Sequence, residues 1–176
     1  MNDIKLIAID MDGTLLNSKN QLTKRTYEAI SQAQDKGVKV VIATGRVLKS
    51  ALHYSQELNL NSYVSACNGA IVVDDKNTPI LEKPICLNDM EKIMELGHNL
   101  GIYFHFYNED TFFTKTVVQA VIDYYTPTTK KFQSQSIGIK VYDKIQEILS
   151  QENLSVYKFL FIDNNKDKLN LLRDKL

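Results

Sequence analysis

The chain has 176 residues, balances 21 Lys and Arg against 21 Asp and Glu, and is 44% hydrophobic. That length suits one large domain or two small ones, at roughly 100 to 200 residues per domain, and the balanced charge excludes an overall basic field for nucleic acid or a membrane surface. Cys67 and Cys86 are too few for a disulfide framework, and no apolar run nears the roughly 20 residues of a membrane span, so a cytoplasmic protein with a small-molecule partner is expected.

Ile4 to Ile9 is nearly all apolar, as a strand covered on both faces reads. Thr23 is placed to cap a helix with Ala29, Ile30 and Ala33 on its apolar side, and Gly37 sits where a helix ends. Val38 to Ala43 reads as a second strand, Val47 to Leu58 as a second helix and Tyr63 to Cys67 as a third strand. This βαβαβ order predicts a doubly wound α/β core with its ligand at the C-terminal ends of the strands. The alternation then stops. Ile71 to Val73 and Ile80-Leu81 flank a polar turn as a hairpin, and Pro84 interrupts the extended run, which puts a domain boundary between residues 83 and 84.

Beyond the boundary the pattern is that of an α+β module. It holds a helix opening at Asn88, strands at Tyr103 to Tyr107 and Thr111 to Lys115, and a helix near Val117 to Tyr125. The loop Thr126 to Thr129, a helix near Lys144 to Leu149, a strand from Val156 to Ile162 and a last helix from Lys166 follow. The aromatic residues Tyr103, Phe104, Phe106, Tyr107, Phe112 and Phe113 alternate on short strands and are expected in a core. Cys67 and Cys86 read as small buried hydrophobes. His53, His98 and His105 lack metal-ligand spacing and are expected on surfaces or helix faces.

The chemistry concentrates in Ile9-Asp10-Met11-Asp12-Gly13-Thr14. Side chains two apart on a strand share a face, and Gly13 allows a turn with positive φ, so Asp10 and Asp12 are expected to converge at a strand end. Ala43-Thr44-Gly45-Arg46 ends the second strand beside them, where a Thr hydroxyl, backbone N–H groups and the following helix N-terminus favour an anion.

Asp10-Met11-Asp12-Gly13-Thr14 resembles motif I of the haloacid dehalogenase superfamily of phosphohydrolases, and Thr44 matches its motif II. Thr44-Gly45-Arg46 followed by Asn68-Gly69-Ala70 is similar to the Cof-type subgroup. The resemblance implies a Rossmann-like core, residues 1–83, with an inserted α/β cap, residues 84–176. It implies a Mg2+-dependent phosphatase of small phosphorylated metabolites such as sugar phosphates. Asp10 would be the nucleophile, Asp12 the general acid and base, Thr44, Gly45 and Arg46 the phosphate binders, Asn68 and Gly69 a supporting part of the substrate site, and Asp10 and Asp12 metal ligands. Transfer to a hydroxyl other than water, as in the mutase relatives, and a non-catalytic remnant stay open as alternatives.

The family's motif III lysine and its motif IV Gly-Asp run have no match. Asp163 to Asp167 lacks the glycine and reads as a solvated turn and helix cap. The chain is therefore expected to stop at the end of the cap, leaving the core incomplete and Ile4 to Ile9 as an apolar edge that self-associates or takes a companion chain.

Overall fold

The computed structural model of the chain describes residues 4–19, 21–121 and 137–176. It is a mixed α/β structure in two compact units, Met1–Lys83 and Pro84–Leu176. The first unit is built on a five-stranded sheet in the order β1 (Leu6–Ile9), β2 (Lys39–Ala43), β3 (Val64–Ala66), β4 (Ile71–Val73), β5 (Pro79–Glu82). The first three strands are parallel, and β4 and β5 return antiparallel as a hairpin.

Parallel neighbours need a crossover, and the helices α1 (Lys24–Asp35) and α2 (Leu48–Glu57) supply it. Thr23 caps α1 by accepting the N–H of Thr26. Gly37, at φ +79°, takes the left-handed turn that ends the helix, its N–H bonding the Gln34 carbonyl at 2.8 Å. The core of this unit comprises Val40, Ile42, Val64, Ala66, Ile71 and Val73 from the sheet, with Ile30 and Ala51 from the helices. At the edge, β1 pairs with β2, and Ile4 and Leu6 are 66% and 56% exposed.

The second unit places α3 (Leu87–Asn99) and α4 (Ile145–Leu149) with a four-stranded sheet in the order β8 (Gly138–Val141), β7 (Thr111–Thr114), β6 (Tyr103–Tyr107), β9 (Lys158–Ile162). It ends in α5 (Lys166–Lys175). The pair β7 and β8 is parallel, and the other pairs are antiparallel. The sequence pattern hides β8, because all four of its residues are exposed and none of its polarity alternates in burial. Gly138 lets it approach β7 so closely that a Cβ there would lie 2.8 Å from Thr111 Oγ1. The expected loop Thr126 to Thr129 and the end of the helix expected near Val117 to Tyr125 lie outside the described residues.

Alternation along β6 sorts its side chains. Phe104 and Phe106 join Met90, Met94, Phe113 and Ile148 in one core cluster. Gly97 lets α3 sit close, since a Cβ there would come within 2.7 Å of the Phe104 ring and 2.9 Å of Phe161. The acidic run at Asp163 forms a turn and cap: Asp163 Oδ1 accepts the Asn165 N–H, and Asn165 Oδ1 accepts those of Asp167 and Lys168.

Two expectations fail here. His105 is not on a surface but fully buried, because it lies between Phe104 and Phe106 in sequence and so points to the other sheet face, where its Nε2 meets Tyr107 Oη at 2.6 Å. Burial, with Lys158 adding a like charge, pushes its pKa down to about 4. Cys86 is exposed rather than buried, since it stands ahead of α3 at the N-cap position.

Gly97→Ala should destabilise the protein by about 1–3 kcal/mol through overpacking against Phe104 and Phe161, read as a lower denaturant midpoint; an unchanged midpoint would show that α3 can retreat freely. His105 binds its proton less readily folded than unfolded, so its neutral form contributes stability above pH 6.5 that is lost as the pH falls toward 4. Denaturant titrations between pH 7 and pH 4 should show a shallower loss for His105→Phe than for the native chain, and parallel curves would remove His105 from the acid response.

Candidate active site

The parallel pairing of β1, β2 and β3 brings three strand C-terminal ends to one rim of the first unit. At the first, the chain leaves β1 through Asp10 and folds back on itself. The Leu15 N–H bonds the Asp10 carbonyl at 3.1 Å, and the Leu16 N–H bonds the Met11 carbonyl at 2.9 Å. Gly13 takes φ +76°, as the sequence required. Met11, Leu15 and Leu16 are at most 2% exposed, so apolar side chains pin the turn while Asp10 and Asp12 stay at the surface.

At the second strand end, Thr44 is buried and tied on several sides. Its N–H bonds the Ser65 carbonyl at 2.9 Å, its carbonyl accepts the Asn68 N–H at 3.1 Å, and its Oγ1 accepts the Arg46 N–H at 3.1 Å. A hydroxyl that accepts still has its own hydrogen to donate. The helix α2 follows with Val47 at its N-cap, no side-chain cap and no acidic residue in its first turn, so its positive end is not countered locally.

The third end is strained. Cys67, Asn68 and Gly69 take φ of 50°, 59° and 89° in succession, a conformation natural to glycine and tolerated by Asn but costly for Cys. The turn is held there by the Cys67 N–H on the Arg46 carbonyl at 2.8 Å and by the Asn68 bond to Thr44. Strain is therefore sustained by ties to the neighbouring strand end.

An open cleft of about 310 Å³ lies among these ends, lined by Asp10 from the first, Ala43, Thr44 and Gly45 from the second, and Ser65, Asn68 and Gly69 from the third. Five of the residues singled out in the sequence, Asp10, Thr44, Gly45, Asn68 and Gly69, thus share one cleft. Ser65 was not foreseen; the sheet register that sets it opposite Ala43 carries the information, and a serine inside a short apolar strand gives no signal of its own.

Asp12 and Arg46 are outside that lining and are joined to each other. Arg46 Nε donates to Asp12 Oδ2 at 3.0 Å and Nη2 to Oδ1 at 2.5 Å, a two-pronged charge-assisted pair. The guanidinium also lies 5.6 Å from the centre of the Tyr54 ring on α2. Burial raises the pKa of the Tyr54 phenol, while the charge of Arg46 and a hydrogen bond with it work in the opposite direction.

A magnesium ion takes an octahedral oxygen shell that usually keeps several waters and includes one or two carboxylates. Among the described residues no group of three His, Cys, Asp or Glu side chains is placed to hold a metal, and the Asp12 carboxylate already carries Arg46 on both oxygens. Asp10 could supply one carboxylate to that shell, which leaves most of its positions to other oxygens. No helix among the described residues is long and apolar enough to cross a membrane.

Comparison with known proteins gives this geometry its context. A family model for haloacid dehalogenase-like hydrolases matches residues 7–176. The 5-amino-6-(5-phospho-D-ribitylamino)uracil phosphatase YcsE of Bacillus subtilis is 42% identical over 92 residues, 52% of this chain and 36% of that protein. YwtE of the same organism, named for the same activity, is 26% identical over 98% of this chain and 65% of its own length. A solved structure of a haloacid dehalogenase-like hydrolase from B. subtilis superposes with a TM-score of 0.82 at 26% identity, covering 98% of this chain and 66% of that one. The chain thus spans at most about two thirds of the length of these relatives. With its strand-end aspartate, its threonine beside it and its family match over nearly its whole length, the chain belongs to the haloacid dehalogenase-like hydrolases, in their Cof-type branch.

Proposed function

We propose that this chain carries the nucleophile side of a phosphatase for small phosphorylated metabolites. The observation that supports it most is the sharing of one cleft by Asp10, Thr44, Gly45 and Gly69, a carboxylate opposite anion-binding groups. The names of YcsE and YwtE, both phosphatases of a phosphorylated ribitylaminouracil, point to the same substrate class.

In this reading an Asp10 carboxylate oxygen attacks phosphorus in line, the bond to the leaving oxygen breaks, and Asp12 gives that oxygen a proton. Asp12 then takes a proton from water as the water attacks the aspartyl phosphate, which returns Asp10 to its carboxylate and releases inorganic phosphate. The Thr44 hydroxyl and backbone N–H groups near Gly45 hold the transferred phosphoryl oxygens. The strained turn at Asn68 and Gly69 bounds the substrate side. Magnesium belongs to the proposal through the family, with donors besides Asp10 required to complete its shell. The second unit takes the part of the cap that selects the rest of the substrate, and the exposed thiol of Cys86 suits a reducing cytoplasm.

The exposed edge of β1 belongs to the same reading, as a surface that pairs with a companion segment or a second copy. Sedimentation should show concentration-dependent association of this chain that Leu6→Lys suppresses, whereas a native chain that is monodisperse and monomeric would refute the edge pairing. For the chemistry, Asp10→Asn in an enzyme completed to the length of its relatives should lower turnover of a generic phosphate ester by more than a thousandfold without loss of folding. Unchanged turnover would remove Asp10 as the nucleophile.

A further inference from the structure

The family resemblance groups Arg46 with the phosphate binders, but the geometry points elsewhere. We propose that Arg46 is the positioning residue of Asp12, with Tyr54 supporting it from α2. The inference rests on the phosphatase reading for its functional meaning and on the geometry alone for the contact itself.

Asp12 stands on a turn, and its side chain is 40% exposed, with the Arg46 fork on both carboxylate oxygens. Arg46 is the opposite kind of residue. Its N–H is held by Thr44 Oγ1 and its carbonyl by the Cys67 N–H, which ties its backbone to the ends of β2 and β3. Its side chain is 12% exposed, with the guanidinium against the Tyr54 ring. A rigid planar fork on a carboxylate sets both the position and the rotation of the acid. The fork takes one lone pair of each oxygen and leaves others on the carboxylate to exchange a proton with leaving group or water. Asp10, Thr44 and Gly45 line the cleft, and Arg46 and Asp12 stand outside that lining as a joined pair, so the guanidinium is committed to the carboxylate.

The chain has three arginines, Arg25, Arg46 and Arg173, so the side-chain Nε–Hε resonances can be followed one by one in a spectrum of this chain. The Arg46 resonance should exchange with water at least tenfold more slowly than that of Arg25, and Asp12→Ala should reduce the difference severalfold. Calorimetry with inorganic phosphate as the probe should give the same affinity, within about twofold, for the native chain, Arg46→Gln and Arg46→Lys. In the completed enzyme Arg46→Gln should lower kcat on the order of a hundredfold while KM stays within about threefold, as befits loss of general acid–base alignment. Arg46→Lys, which keeps the charge but not the fork, should recover only part of the loss. Rapid exchange of the Arg46 resonance in the native chain, or a tenfold weaker phosphate affinity in folded Arg46→Lys, would overturn the assignment. The spectrum and the phosphate affinity need no turnover, so they test the clamp even if the phosphatase reading fails.

Discussion

Everything at the candidate site depends on the parallel pairing of β1, β2 and β3. Because Ile9 lies opposite Ile42 and Ala43 opposite Ser65, the residues that follow each strand emerge at the same rim. Parallel pairing in turn requires the crossovers α1 and α2, and the second of these delivers its N-terminus to that rim. The bonds Thr44 to Ser65, Asn68 to Thr44 and Cys67 to Arg46 then tie the ends of β2 and β3 together, and the Arg46–Asp12 pair joins the loop after β1 to them as one cradle. A one-residue slip would turn each side chain to the opposite face and dismantle it.

The electrostatics explain why the cradle is built so firmly. A carboxylate facing phosphate meets a repulsion of about 4 kcal/mol per unit charge pair at 4 Å and an effective dielectric near 20. Each 1.36 kcal/mol is about tenfold in rate, so a dianion left uncompensated would slow the attack by roughly a millionfold. In the proposed reading the strand-end amides, the Thr44 hydroxyl and the start of α2 oppose part of that cost. Arg46 is engaged by Asp12, so in the proposed reading the remainder falls to positive charge from beyond the cleft lining. In the proposed reading neutral donors meet the phosphate side, and the guanidinium fixes the proton carrier.

What could be read from sequence was local. The apolar run into Asp10, the glycine at 13, the cap at Thr23 and the Thr44-Gly45 tip each follow from propensities within a few residues, and each stands where expected. What escaped was set by partners far along the chain. Arg46 and Asp12 are 34 residues apart, and nothing in either segment announces that they pair. Ser65 becomes part of the cleft only through its register with Ala43. His105 looked like a polar residue on a short strand; strand alternation places it on the face opposite Phe104 and Phe106, and only the tertiary structure shows that face to be closed around it. The exposed β8 carries no burial pattern and depends on a close backbone approach at Gly138.

The three strand ends are proposed to form one anion-binding cradle. The most direct test is the amide spectrum of this chain titrated with inorganic phosphate. The largest shifts should fall on Thr44, Gly45, Ser65 and Gly69, with the amides of β6 and β7 in the second unit unmoved. Shifts that scatter over the surface, or that concentrate in the second unit and spare the strand ends, would contradict it.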